Sequence, residues 1–307
     1  MAATANKIPG VSVDVDDLIA IRSQLKDLYR SRVRRHSTRS GAREVQLRGR
    51  GMDYEESRAY VYGDDVRAMD WRVMARTGEA HTKVFAEEKE RSCLIAVDLS
   101  ASMFFGTRFA FKSWAAAQVA AHIGWLASFC GERIGGLIAS PEYHREIRPG
   151  KTRSGLLSVF HHLGRAGELQ PPRLGDVSRL NYLVSETKRL AKPGSDILLI
   201  SDFMGIDSQT REILSTLSRH NQVYAYWIFD SSEVSDWPGG IYPIMDSQRG
   251  MQLNLDDQPH RQWLSEQQLA HQQRVETVCA DFNIPLLPIC CNRPIGPQIL
   301  QNRQSSS

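Results

Sequence analysis

The sequence predicts an α/β fold, a mostly parallel sheet flanked by helices, preceded by a smaller N-terminal α+β module. Three observations predict it. From Arg91 onward, short apolar runs alternate with segments of helical period, the pattern of a parallel sheet with helices on both faces. Before Glu90 the pattern is different, with one amphipathic helix followed by short strands and turns. The length of 307 residues leaves room for a full core and two domains. The expected division is an N-terminal module over 1–90, the α/β domain over 91–300, and a disordered tail over 301–307.

The elements follow in order. Leu18, Ile21, Leu25 and Leu28 recur at helical spacing, so Val13 to Tyr29 reads as a helix. Cys93 to Val97 is a buried strand, and Arg108 to Cys130 is a long core helix closed by Gly131. Ile134 to Ala139 and Tyr143 to Ile147 are further strands, and Ser154 to Leu163 is a short helix. Val177 to Leu190 is helical, with Asp176 at its N-cap. The strongest strand is Ile197 to Ser201, which reads Ile-Leu-Leu-Ile-Ser. Helix Ser208 to Arg219, strand Val223 to Phe229, helix Arg261 to Ala280 and strand Pro285 to Cys290 complete the series.

Composition excludes several classes of function. The chain is 41% hydrophobic and 24% charged, an ordinary globular balance. The five cysteines are odd in number and scattered, with no C-x-x-C, which argues against a disulfide scaffold and a zinc ribbon. No basic start followed by an apolar run marks a secretory signal, and Lys112, Gln118 and His122 interrupt the most apolar stretch, so no membrane span is read. These features predict a cytoplasmic location. The net charge of +3 is uneven: Arg22 to Arg50 holds ten basic residues against two acids. That segment could meet nucleic-acid phosphates, but its one aromatic residue, Tyr29, gives no base-stacking platform. A solvated face or a docking surface for an acidic protein is the plainer reading.

Two strand ends carry the chemistry. The first reads Ile95-Ala96-Val97-Asp98-Leu99-Ser100-Ala101-Ser102-Met103, the second Leu199-Ile200-Ser201-Asp202-Phe203. Ligands of such sheets bind beyond the carboxyl ends of the strands. In a loop leaving a strand, Asp98, Ser100 and Ser102 can aim one carboxylate and two hydroxyls at one point, and Asp202 can join them from the next strand end. Hard oxygens suit Mg²⁺, or another divalent cation such as Mn²⁺. On spacing alone, a helix cap formed by the same residues stays open.

Other catalytic patterns are not met. Gly150-Lys151-Thr152 looks like the end of a phosphate-binding loop, but Arg145 stands where that motif needs glycine. No G-x-G-x-x-G follows a strand. Asp98 as a phosphate-accepting nucleophile lacks the second acid expected two positions on, where Ser100 stands. His122 reads as a packed core residue, His161 and His162 diverge on a helix, and Cys290 and Cys291 alternate across a strand.

The stretch Arg58-Ala59-Tyr60-Val61-Tyr62-Gly63-Asp64-Asp65-Val66-Arg67-Ala68-Met69-Asp70-Trp71 reads as a scaffold motif, with Arg58, Arg67 and Asp70 able to pair around Tyr60 and Trp71. Followed by the Asp98 block, Phe105-Gly106, Ser201-Asp202-Phe203, and Phe229-Asp230 with Glu233 and Pro238, it resembles the MoxR-associated proteins with a von Willebrand factor A-like domain. These are a family catalogued as a domain of unknown function. The resemblance covers roughly Val45 to Asp257. It implies a von Willebrand factor A-type sheet with one antiparallel edge strand and a metal-ion-dependent adhesion site, in which Asp98, Ser100 and Ser102 match the first loop and Asp202 the third. The second loop normally supplies a threonine. Here it has none, and Ser178 or Asp176 would substitute.

The resemblance implies a non-enzymatic adaptor that works with a MoxR-type AAA+ ATPase in maturing or assembling client proteins. Two alternatives stand beside it: a metal-dependent phosphohydrolase using Asp98 and Asp202, and nucleic-acid binding through Arg22 to Arg50.

Overall fold

The computed structural model describes residues 8–26, 53–62, 65, 69–86, 92–140, 142–150, 152–168, 180–235, 237–245 and 250–305. The chain divides into two compact units, 30–90 and the union of 1–29 with 91–307. The sequence reading placed residues 1–90 in one module; the described residues 8–26 belong instead with the large unit. The reason is hydrophobic. Helix α1 (15–26) buries Leu18, Ile21 and Leu25 in the core of the large unit, and the Trp125 indole donates to the Leu18 carbonyl at 2.9 Å.

In the small unit, β1 (Asp53–Ala59) and β2 (His81–Ala86) pair antiparallel around α2 (Trp71–Thr77). Asp70 caps α2 by accepting the N–H groups of Arg72 and Val73, and Gly78 closes it in the left-handed conformation with φ of 78°. Trp71 is exposed, not enclosed by the charged residues of its motif; Arg67 lies outside the described residues.

The large unit is built on a six-stranded sheet. Its strands are β3 (Ser92–Asp98), β4 (Arg133–Ala139), β5 (His144–Gly150), β6 (Asp196–Ser201), β7 (Gln222–Phe229) and β10 (Leu286–Cys290). The order is β10-β7-β6-β3-β4-β5, and every neighbouring pair is parallel except β4 with β5. This mostly parallel sheet with one antiparallel edge is von Willebrand factor A-like, as expected.

Strand alternation sorts the core into two layers. Cys93, Ile95, Val97, Leu198 and Ile200 face α1, α3 (Lys112–Phe129), α4 (Thr152–Glu168) and α8 (Ile295–Ser305). Leu94, Ala96, Ile197 and Leu199 face α5 (Leu180–Leu190), α6 (Ser208–His220) and α7 (Gln258–Asp281). Helix α3 is buried around nearly its whole circumference, so its alanines and Gly124 let neighbours approach closely.

Several boundaries differ from those read in the sequence. Residues 108–111 form a loop, and α3 starts at Lys112. Helix α7 begins at Gln258, because a proline in its first turn costs no hydrogen bond. A hairpin of β8 (Ile241–Met245) and β9 (Gly250–Asn254) was missed. The expected tail over 301–307 is helical as far as Ser305, the end of α8.

Candidate metal centre

Asp98 is the last residue of β3, and Asp202 follows the last residue of β6, the neighbouring strand. Parallel pairing therefore delivers both carboxylates to the same rim. Beyond Asp98 the chain turns through Ser100 into a 3₁₀ turn at Ala101–Met103, which carries Ser102. The Ser100 N–H donates to Asp98 Oδ1 at 2.9 Å, and the Ser201 hydroxyl donates to Asp98 Oδ2 at 2.7 Å. The hydroxyls of Ser100 and Ser102 lie 3.3 Å apart, and the Asp98 and Asp202 carboxylates are close enough for the Asp202 charge to act on Asp98. The four residues selected by spacing thus meet at one place. Asp98, Ser100 and Asp202 are almost fully buried, and Ser102 is partly exposed.

The local backbone supports this arrangement. Phe203 takes a positive φ of 55°, and its N–H donates to the Ser201 hydroxyl. The Met204 N–H donates to Asp202 Oδ1 at 3.1 Å, and the His271 ring bonds the Asp202 carbonyl.

The structure adds a residue the sequence did not single out for this site. Lys112, the first residue of α3, is buried with 1% of its side chain exposed. Its Nζ donates to Asp202 Oδ2 at 2.9 Å and to Glu233 Oε1 at 2.6 Å. Glu233 closes a 3₁₀ turn, Ser231–Glu233, that follows β7, and its other oxygen accepts the Asp230 N–H. Asp230 ties the rim together by accepting the N–H and hydroxyl of Thr107, both at 2.8 Å. In sequence, Lys112 showed only as a charge interrupting an apolar run. A lone ammonium opening a helix that is otherwise buried needs an anion, and that was the available signal.

The electrostatics follow from burial. Loss of water, and then the neighbouring Asp202 charge, push the Asp98 carboxyl up from 3.8 to about 6, against the hydrogen bonds from Ser201 and Ser100. Burial acts on Asp202 in the same sense, but the Lys112 charge and the Ser102, Lys112 and Met204 hydrogen bonds hold its carboxyl below the ordinary value. Burial alone would lower the Lys112 ammonium; Asp202 and Glu233 outweigh it and hold it above its usual range.

The donor chemistry fits a divalent cation. Two carboxylates and two hydroxyls present hard oxygens, and the repulsion that lifts Asp98 is relieved by added positive charge. Among the described residues, no group of three or more His, Cys, Asp or Glu side chains is arranged to hold a metal ion. The set therefore relies on Ser100 and Ser102. Ser178 and Asp176, the expected second-loop substitutes, lie outside the described residues.

The chain is 28% identical over 246 residues to the uncharacterized proteins Mb1516 of Mycobacterium bovis and Rv1480 of Mycobacterium tuberculosis, spanning 80% of this chain and 76% of theirs. Among solved structures, the conserved hypothetical protein BatB of Bacteroides thetaiotaomicron matches 70% of this chain and 97% of its own, at 13% identity and a TM-score of 0.43. A second, an aerotolerance-related membrane protein of Bacteroides fragilis carrying multiple mutations to serine, matches 70% and 98% at 14% identity and a TM-score of 0.39. The cytoplasmic location expected from the sequence is corrected on that description, since a structure similar to this chain belongs to a membrane protein. Among the described residues, no helix is long and apolar enough to cross a membrane. The family model described as "Protein of unknown function DUF58" matches residues 56–275, and the chain belongs to that family.

Proposed function

We propose that the protein is a non-enzymatic, metal-dependent binding module whose rim of Asp98, Ser100, Ser102 and Asp202 docks a partner protein. The observation that carries this reading is the convergence of those four side chains at the carboxyl ends of adjacent parallel strands. A divalent cation such as Mg²⁺ or Mn²⁺, held by these oxygens, would supply a bridge to a carboxylate of the partner. The chain's own residues do the rest: Ser201 and the Ser100 N–H orient Asp98, and the Met204 N–H and Lys112 orient Asp202. Phe109, Met204 and Val234, on the loops around the site, expose apolar surface of the kind that protein partners cover. The partner in this reading is a MoxR-type AAA+ ATPase, with client proteins matured or assembled by the pair, as the sequence resemblance implies.

The phosphohydrolase alternative fits less well. Ser100 stands two positions after Asp98, where a phosphate-accepting aspartate site carries its second acid. The basic-segment alternative loses Arg22, whose guanidinium sits 5.4 Å from the Trp125 ring centroid on a helix packed into the core. The other nine basic residues of that segment include only Lys26 among the described residues.

Co-purification with a MoxR-type AAA+ ATPase, in Mg²⁺ and in a chelator, tests the reading. The complex is expected in Mg²⁺ only, and is weakened by Asp98→Ala and Ser100→Ala with circular dichroism unchanged. A complex indifferent to the chelator contradicts it. Turnover of p-nitrophenyl phosphate abolished by Asp98→Ala would favour the hydrolase instead.

A further inference from the structure

The Lys112 ammonium shares Asp202 with the candidate metal donors. Its Nζ lies 2.9 Å from Asp202 Oδ2 and 2.6 Å from Glu233 Oε1, and the side chain is buried. The Phe105 ring centroid, 5.8 Å from Nζ, covers it on another side. A lysine so enclosed has no solvent to retreat into. It can only redistribute between the two carboxylates it already touches.

We propose that Lys112 is a tethered cation that competes with the divalent ion for Asp202, and that Glu233 receives it when the ion binds. The inference rests on the metal reading above and adds how occupancy is set. A divalent ion on Asp202 would lie within a few ångströms of an ammonium on the same carboxylate, and like charges at that range in a buried site repel strongly. The Lys112–Asp202 contact is the one to yield, because the second contact, to Glu233, is already formed. Glu233 is suited to the exchange. It is held in place by the Asp230 N–H through its second oxygen, and it is about one-third exposed at the rim, on the turn before Val234. The intramolecular cation keeps Asp202 satisfied without metal and makes metal binding weak. It also couples metal binding to the Ser231–Glu233 turn, on the face where a partner would dock.

Calorimetric titration of the full chain with Mg²⁺, in wild type, Lys112→Met, Glu233→Gln and Asp98→Ala, tests the proposal. Lys112→Met keeps the length and burial but removes the competitor, and is expected to bind Mg²⁺ at least tenfold more tightly than wild type. Glu233→Gln removes the receiving carboxylate and is expected to bind several-fold more weakly. Affinity in Lys112→Met equal to or below wild type overturns the proposal, as does tighter binding in Glu233→Gln. If Lys112→Met proves unfolded by circular dichroism, Glu233→Gln decides alone, and unchanged affinity there overturns the proposal. Wild-type binding lost in Asp98→Ala but unaffected in Lys112→Met removes only this inference. Absence of Mg²⁺ binding in every protein removes the metal reading with it.

Discussion

Replacing Asp98 by Asn removes one of two neighbouring buried carboxylates while keeping the side-chain shape and the acceptor for the Ser100 N–H. Burial and Asp202 raise the Asp98 carboxyl from 3.8 to about 6. The folded state therefore holds this proton more tightly than the unfolded chain does. The stabilisation from protonation is fully present below about pH 4 and is lost as the pH rises through about 6. A shift of roughly two pH units corresponds to ~3 kcal/mol of native-state penalty for the ionised form. Without divalent ions, Asp98→Asn is thus expected to be more stable than wild type at pH 8 by up to ~3 kcal/mol, with the gap closing toward pH 4. Asp202 is present in both proteins and largely cancels in the comparison. Urea unfolding followed by tryptophan fluorescence, in chelator at several pH values, reads the difference. A variant equal to or less stable than wild type at pH 8 refutes the reasoning, and so does a gap that does not depend on pH.

Three further outcomes are expected. A Cβ at Gly124 would run into Leu156 Cδ1 between α3 and α4, so Gly124→Ala should cost about 1–3 kcal/mol in urea unfolding, despite alanine's better helix propensity; a gain in stability counts against the tight α3–α4 approach. Leu18→Ala empties a site on α1 that is only 1% exposed and should cost about 2–5 kcal/mol; a cost below 0.5 kcal/mol, roughly the range of surface changes, would show α1 detached from the large unit. Of the five free cysteines only Cys130 is exposed, whereas burial raises the thiols of Cys93, Cys279 and Cys291. A thiol reagent at neutral pH should modify one cysteine quickly, identified as Cys130 by peptide mapping, and rapid modification of Cys291 would contradict the packed rim.

Much of the large unit was legible because its strands are buried on both faces. Runs such as Cys93 to Val97 and Ile197 to Ser201 have no polar alternative, and their ends fix where Asp98 and Asp202 emerge. The donor set was legible because spacing along one loop leaving a strand survives folding. Lys112 was not, since its meaning comes from Asp202 and Glu233, 90 and 121 positions away. The hairpin β8–β9 was missed because Pro243 and exposed Ile241 give it neither clean alternation nor burial. Helix α1 was recognised as amphipathic, but a helix's apolar stripe does not say which core it joins; Leu18 and Trp125, 107 residues apart, decide that.

The central claim is that Asp98, Ser100, Ser102 and Asp202 together hold one divalent ion. Crystals grown with Mn²⁺ and measured for anomalous scattering test it most directly. The account expects one strong peak within coordinating distance of oxygens from both the Asp98–Ser102 loop and Asp202, absent from Asp98→Ala crystals grown the same way. Well-ordered wild-type crystals at saturating Mn²⁺, with no peak at this rim and Lys112 still bound to Asp202, would contradict it.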